Sequence, residues 1–206
     1  MKIVIIDYGA GNIANVYHAL KRAGSEGIVS SDPLVIADAD ALILPGVGAM
    51  GDAMSRLTES GLSESIRDSV EKGTKLAGIC LGMQALYDYS TEGGHVEGLG
   101  FLPGHIEEIP AAPGRKVPHM GWNELVFARD HWISRGLPAH PYVYFVHSYY
   151  KVPADTEDVI ATADYGVPIP AIVGKGNVIG FQFHPEKSGA IGALLFRNCL
   201  LYTSDA

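Results

Sequence analysis

Leu76-Ala77-Gly78-Ile79-Cys80-Leu81-Gly82-Met83-Gln84 is the stretch on which the fold turns. Residues 76–79 are apolar and read as a buried strand. Residues 82–89 carry a helical pattern. A strand that passes through Gly-x-Cys-x-Gly into a helix has the form of a nucleophile elbow, with cysteine in the serine position. The glycines have a steric reason. The turn is so tight that side chains at 78 and 82 would collide with neighbouring backbone. Cys80 then stands at the head of a helix, where the dipole favours an anionic sulfur. A free cysteine is more often a small buried packing residue. The paired glycines and the strand-to-helix context favour the nucleophile.

Outward from the elbow, the first half alternates strands and helices. Ile3–Ile6 and Ala41–Leu44 read as buried strands, the second closed by Pro45-Gly46. Residues 12–22 read as a helix ended near Gly24, and residues 57–72 as a helix broken at Gly61. This alternation predicts an α/β domain with a mixed, mostly parallel central sheet flanked by helices. The second half predicts short strands at 106–109, 123–127, 142–146, 159–163, 171–173 and 178–183, with a hairpin loop at 174–177. These are expected to extend the same sheet in antiparallel fashion. Residues 191–201 close the chain as an amphipathic helix.

The 206 residues suit one compact domain, and 47% hydrophobic against 18% charged residues exclude disorder. A formal charge of −8 excludes a basic nucleic-acid surface. Two cysteines exclude a disulfide framework and point to a reducing compartment. Apolar runs stay too short for a membrane span, and the one at the N-terminus is cut by Asp7, unlike a signal peptide. A soluble, cytoplasmic protein is expected. The histidines at 18, 95, 105, 119, 131 and 140 show no metal-ligand spacing, so no metal site is expected among them.

A thiolate nucleophile needs a base, and the base needs an orienting group. Phe181-Gln182-Phe183-His184-Pro185-Glu186 supplies both. In extended backbone, residues two apart face the same side, so His184 and Glu186 are expected to point together. A surface His-Pro-Glu turn is the plain alternative; the preceding strand and the elbow cysteine argue against it. An acyl-transfer intermediate also needs an oxyanion hole. The Leu81 N–H, directly after the nucleophile, is one donor. A second is sought in Gly46, Val47 and Gly48, where a strand ends and glycines permit a peptide to rotate.

With these residues in place, a likeness emerges. Gly78–Gln84 as quoted, together with His184-Pro185-Glu186, resembles the triad-type class I glutamine amidotransferases. Pro45-Gly46-Val47-Gly48-Ala49-Met50, Pro118-His119-Met120-Gly121-Trp122-Asn123, Phe145-Val146-His147-Ser148-Tyr149 and His184-Pro185-Glu186-Lys187-Ser188 resemble the glutaminase subunits of imidazole glycerol phosphate synthases. The likeness spans roughly residues 2–198. It implies the class I glutamine amidotransferase fold, flavodoxin-like. It implies hydrolysis of glutamine to glutamate through a thioester on Cys80, with no metal or organic cofactor, and with ammonia passed to a separate barrel cyclase subunit in histidine biosynthesis. By position, it implies substrate contacts at Gln84, Glu92, His147, Ser148 and Tyr149, and a partner interface at Asn12, Asn15, Trp122 and Lys187. Met50 departs from the aromatic usual there.

Rival readings remain at this point. Gly9-Ala10-Gly11-Asn12-Ile13-Ala14 fits G-x-G-x-x-G/A, with Asp32 where a ribose-binding acid would lie, which suggests a dinucleotide-binding module. Such short matches are common by chance, and this one leaves Cys80, His184 and Glu186 unexplained. A stand-alone cysteine hydrolase and an inactive scaffold are the others. Residues 199–206 resemble a translated library adapter. A glutamine amidotransferase domain is therefore expected over 1–198, with 199–206 a non-native tail in which Cys199 has no function.

Overall fold

The computed structural model describes residues 1–152 and 156–201. Along the first half run β1 (Ile3–Ile6), α1 (Ile13–Arg22), β2 (Gly27–Ser30), α2 (Pro33–Ala37), β3 (Ala41–Leu44), α3 (Met50–Glu59), α4 (Leu62–Glu71), β4 (Lys75–Ile79) and α5 (Leu81–Gln84). There follow β5 (Tyr87–Ser90), β6 (Val96–Glu97), β7 (Leu102–Glu108), β8 (His119–Glu124), β9 (Val126–Phe127), β10 (Tyr142–His147) and β11 (Tyr149–Lys151). The chain ends with β12 (Val159–Asp164), β13 (Pro168–Lys175), β14 (Val178–Phe181) and α6 (Gly189–Leu201).

The central sheet has eight strands in the order β2-β1-β3-β4-β14-β13-β12-β9. The five strands from β2 to β14 are parallel; β13, β12 and β9 continue the sheet antiparallel. A parallel sheet is covered on both faces, so its strands are apolar throughout. Alternate residues of β1, β3 and β4 divide between the two layers. Ile3, Ile5, Ile43, Ala77 and Ile79 pack with Val16, Ala19 and Leu20 of α1 and with Leu195 and Phe196 of α6. Val4, Ile6, Leu42, Leu44 and Leu76 pack with Ile36, Ala53, Leu57, Leu62, Ile66 and Val70 of α2, α3 and α4. Each fully buried Val, Leu, Ile or Phe among them contributes about 1.5–3 kcal/mol.

The expected α/β class and largely parallel sheet are present, but several elements differ. The helix expected over 82–89 is only α5, four residues long. Leu86 N closes it onto Met83 O, and Tyr87–Ser90 leaves as a strand that pairs with β6 and β7. The second half does not all join one sheet. β11, β7, β5 and β6 form a separate four-stranded sheet, and β10 pairs with β8 alone. α3 begins at Met50, ahead of the expected start at 57, and Gly61 (φ 72°) turns the chain into α4. β13 extends through Pro168 and Pro170, which are in register with Asp164 and Thr162 of β12 at the end of the strand that β14, pairing only from Ile172 onward, leaves as an edge. The hairpin stands: Lys175 pairs with Val178 across Gly176-Asn177. α6 is apolar around most of its surface rather than amphipathic, with Arg197 and Asn198 its polar side chains. Cys199 and Leu200, within the expected tail, are buried in α6; residues 202–206 lie outside the described residues. Among the described residues no helix is long and apolar enough to cross a membrane.

Candidate active site

Three of the parallel strands deliver the site at their C-terminal ends: β3 leads into residues 45–48, β4 into Cys80, and β14 into residues 182–186. Cys80 has φ 52° and ψ −107°, and among the described residues it is the one non-glycine with positive φ. Such backbone costs about 1–3 kcal/mol and persists only where the surroundings over-determine it. Here Cys80 N donates to Phe181 O at 2.7 Å. A Cβ at Gly78 would lie 2.6 Å from Gly82 O, one at Gly82 1.9 Å from Leu44 O, and one at Gly46 2.5 Å from Gly82 N. The three glycines interlock the ends of β3 and β4 and force Cys80 outward. With α5 only four residues long, the strained turn presents the sulfur more than a long helix dipole does.

His184 Nδ1 and Glu186 Oε1 are 2.7 Å apart, both side chains buried. The extended alternation expected for this pair is not how they meet. Pro185 opens a 3-10 turn over Pro185–Lys187, and that turn brings the carboxylate back to the ring. Burial alone would lower the His184 pKa; hydrogen bonds to Cys80 and Glu186, and their negative charge, raise it to about 9. Ser188 Oγ donates to His184 O at 2.7 Å and accepts from Tyr144 N at 3.0 Å, and His184 N donates to Tyr144 O at 2.9 Å. The second Glu186 oxygen, Oε2, is buried without a partner among the described residues.

Cys80 and His184 open onto a cavity of about 330 Å³ that Val47, Gly48, Leu81, Gln84, Glu92, His147, Ser148, Tyr149 and Lys187 also line. Gly46 does not line it, but packs beneath Leu81-Gly82. Gln84 Nε2 donates to Tyr149 O (2.9 Å) and to Gln182 Oε1 (3.1 Å). Glu92 Oε2 accepts from Met50 N at 2.8 Å, so the carboxylate also satisfies the first turn of α3. Residues 147–149 are not one strand: Ser148 is the step between β10 and β11. Sequence reasoning passed over Gln182, whose Nε2 lies 3.9 Å from Cys80 Sγ, and Val146, whose carbonyl lies at the same distance. The signal for Gln182 was a lone polar residue inside an apolar strand run. A larger cavity, about 560 Å³, opens near Leu76, Val178 and Cys199. Burial pushes the Cys199 thiol up to about 12, which disfavours its thiolate.

The four residues expected at an interface lie outside this cavity except Lys187, on its rim. Trp122 is 57% exposed on β8, next to Met120 at 62%. Its indole meets the Tyr144 ring edge-on at 6.1 Å, and Lys187 Nζ lies 5.9 Å from the same ring. Asn15 is exposed on α1; Asn12 is the N-cap of α1, yet its side chain makes no cap hydrogen bond. The glycine loop of the dinucleotide reading is occupied otherwise. Tyr8 Oη donates to Pro45 O at 2.9 Å, Gly11 packs on Pro45, and Asp32 caps α2 by accepting from Leu34 N.

The family model "Glutamine amidotransferase class-I" matches residues 4–201. The chain is 50% identical over 200 residues to "Imidazole glycerol phosphate synthase subunit HisH" of Geobacillus kaustophilus (strain HTA426), covering 95% of this chain and 94% of that protein. It is 45% identical over 196 residues to the HisH of Methanothermobacter thermautotrophicus, covering 95% and 96%. A solved "glutamine amidotransferase" superposes with TM-score 0.76 at 25% identity, covering 97% of both chains. The fold is also that of "PurLQS from Thermotoga maritima", TM-score 0.75 at 23% identity over 97% of each chain. The chain belongs to the class-I glutamine amidotransferase family and, within it, to the HisH subunits of imidazole glycerol phosphate synthase.

Proposed function

We propose that this chain hydrolyses glutamine at Cys80 and hands the ammonia to a barrel cyclase subunit in histidine biosynthesis. The observation that carries the reading is the buried 2.7 Å contact between His184 and Glu186 on the same cavity as Cys80. Cys80 gives its thiol proton to His184, and its sulfur attacks the carboxamide carbon. The C–N bond then breaks, His184 gives its proton to the departing nitrogen, and ammonia leaves behind a thioester. Water attacks the thioester, His184 takes the proton, and glutamate departs. Glu186 holds the imidazole in orientation and offsets its charge. Leu81 N–H is one oxyanion donor; the peptide linking Val47 and Gly48 is the second once rotated, with Gly46 as the close-packed base of that loop. Glu92 receives the substrate ammonium, Gln84 flanks it, and residues 147–149 receive the carboxylate.

The partner docks on Asn12, Asn15, Trp122 and Lys187, the last at the rim through which ammonia leaves. No organic cofactor or metal enters these steps, and a reducing cytoplasm suits the free thiol. The test is glutamine turnover with and without a barrel cyclase subunit and its ligand. Turnover that rises on partner binding is expected. Equal turnover of the isolated chain would favour a stand-alone hydrolase.

A further inference from the structure

We propose that His119 is a positioning residue which, through His147, holds Ser148 and Tyr149 in the orientation the glutamine pocket requires. The proposal rests on the reading of residues 147–149 as part of that pocket. His119 and His147 are both buried. His119 Nδ1 lies 3.1 Å from His147 Nε2, and His147 Nδ1 lies 2.8 Å from the Tyr149 carbonyl oxygen.

Donor counting fixes the protons. The Tyr149 carbonyl only accepts, so His147 Nδ1 carries hydrogen. In a neutral ring His147 Nε2 then accepts, so His119 Nδ1 carries hydrogen. That leaves His119 Nε2 to accept, and Asn123 Nδ2 faces it at 3.4 Å. Asn123 is itself oriented: its Nδ2 donates to Asp164 O at 2.8 Å and its Oδ1 accepts from Glu124 N at 2.8 Å. The chain therefore runs in one direction, from Asn123 through both rings to Tyr149.

The end of the chain is the site itself. Tyr149 O also accepts from Gln84 Nε2 at 2.9 Å, and Gln84, His147, Ser148 and Tyr149 line the cavity with Cys80. Ser148 is the step between β10 and β11: its carbonyl accepts from Ile109 N at 2.8 Å, but neither strand includes it, so the turn of the backbone there rests on few bonds. The His147 ring spans that step, bonded to the carbonyl two residues on. Both rings are kept neutral. Burial lowers His147 to about 3, with the charges of His119 and His184 acting in the same direction against the Tyr149 carbonyl, and burial lowers His119 to about 4. A neutral His147 does not oppose the cation that forms on His184.

A purely packing role for His119 is the competing account, since its ring stacks on Phe145 (4.6 Å) and Tyr165 (3.9 Å). His119→Phe keeps the stack and deletes the donor, while His119→Asn keeps an N–H near the Nδ1 position. With the cyclase complex, His119→Phe should raise the KM for glutamine on the order of tenfold, the effect of a buried acceptor left unpaired, with kcat changed far less. His119→Asn should recover most of the loss. Two-bond ¹H–¹⁵N spectra of the labelled wild-type chain should show both rings protonated at Nδ1 and bare at Nε2. An unchanged KM in His119→Phe, or a His147 ring protonated at Nε2, would overturn the proposal. If His119→Phe does not fold, the wild-type ring signals and His119→Asn still decide. If the wild-type complex turns over no glutamine, the proposed function falls, and the ring signals alone decide on the hydrogen-bond chain.

Discussion

Cys80 is the one non-glycine among the described residues held at positive φ, and its neighbours leave the backbone no other choice. Serine accepts the same backbone, so Cys80→Ser should change the melting temperature little. It should lower glutamine hydrolysis by at least about 10³-fold, as loss of a nucleophile does. Added ammonia should still support the cyclase reaction of the complex, because that chemistry lies in another subunit. Retained glutaminase activity would remove Cys80 from its role. His184 gives a pH prediction. Its folded pKa, about 9, lies above the ordinary 6.5, so the folded state binds this proton more tightly. The stabilisation is therefore fully present below about 6.5 and is lost as pH rises through about 9. Thermal melts of wild type and His184→Gln should differ most near the acid side of this window and converge above it. A difference independent of pH would show that His184 is not held as a cation in the fold.

At the scale of elements, the glycines of the elbow and of the loop after β3 separate into two kinds. A methyl at Gly82 would meet the Leu44 carbonyl oxygen at 1.9 Å, whereas a methyl at Gly48 meets nothing within 4 Å and is penalised only by φ 93°. Gly82→Ala should thus cost more than the ~1–3 kcal/mol of ordinary overpacking and leave little folded protein. Gly48→Ala should fold, lose about 1–3 kcal/mol, and alter how strongly the partner stimulates glutamine turnover. Urea melts and paired turnover assays check both; equal stability of the two variants would contradict the interlock. The same distinction explains what was legible in the sequence. β1, β3 and β4 are apolar on both faces, and that pattern needs no partner to be read. The elbow and His184-Pro185-Glu186 are contiguous, so their chemistry was legible too. Tyr87–Ser90 was not, because it is a strand only by virtue of β6 and β7, and Gly98 must lie flat against the Tyr87 carbonyl for the turn to close. Gln182, Val146 and the contact of His119 with the expected site residue His147 were hidden: Val146 lines the cavity from β10, His119 stands behind His147 on β8, and Gln182 follows β14, and the pairings of these strands join distant segments.

Taken whole, the molecule places its reactive sulfur beside a surface that buries nothing of its own. Met120 and Trp122 project from β8, which among the described residues pairs with β10 alone, and Lys187 stands at the cavity rim over the Tyr144 ring. Exposed aromatic and aliphatic side chains grouped next to a charged rim are the composition of a protein interface. On the proposed reading, ammonia crosses this rim, and in bulk water it would be protonated and lost as a nucleophile. Two residues of the same surface should then fail differently. Trp122→Ala removes an anchor and should weaken association with the cyclase subunit by about 2 kcal/mol, roughly thirtyfold in Kd, with hydrolysis at saturating partner little changed. Lys187 directly follows the triad carboxylate, and its side chain is exposed, so its removal leaves the His184–Glu186 contact in place. Lys187→Ala should keep glutamine hydrolysis near wild type while the ratio of glutamine consumed to cyclised product rises above one. Both rates are measured in a single reaction, with partner binding followed separately by calorimetry. A ratio that stays at one in Lys187→Ala, at full occupancy of the complex, would mean that the rim lysine is a solvated side chain and that the ammonia path is sealed by other groups.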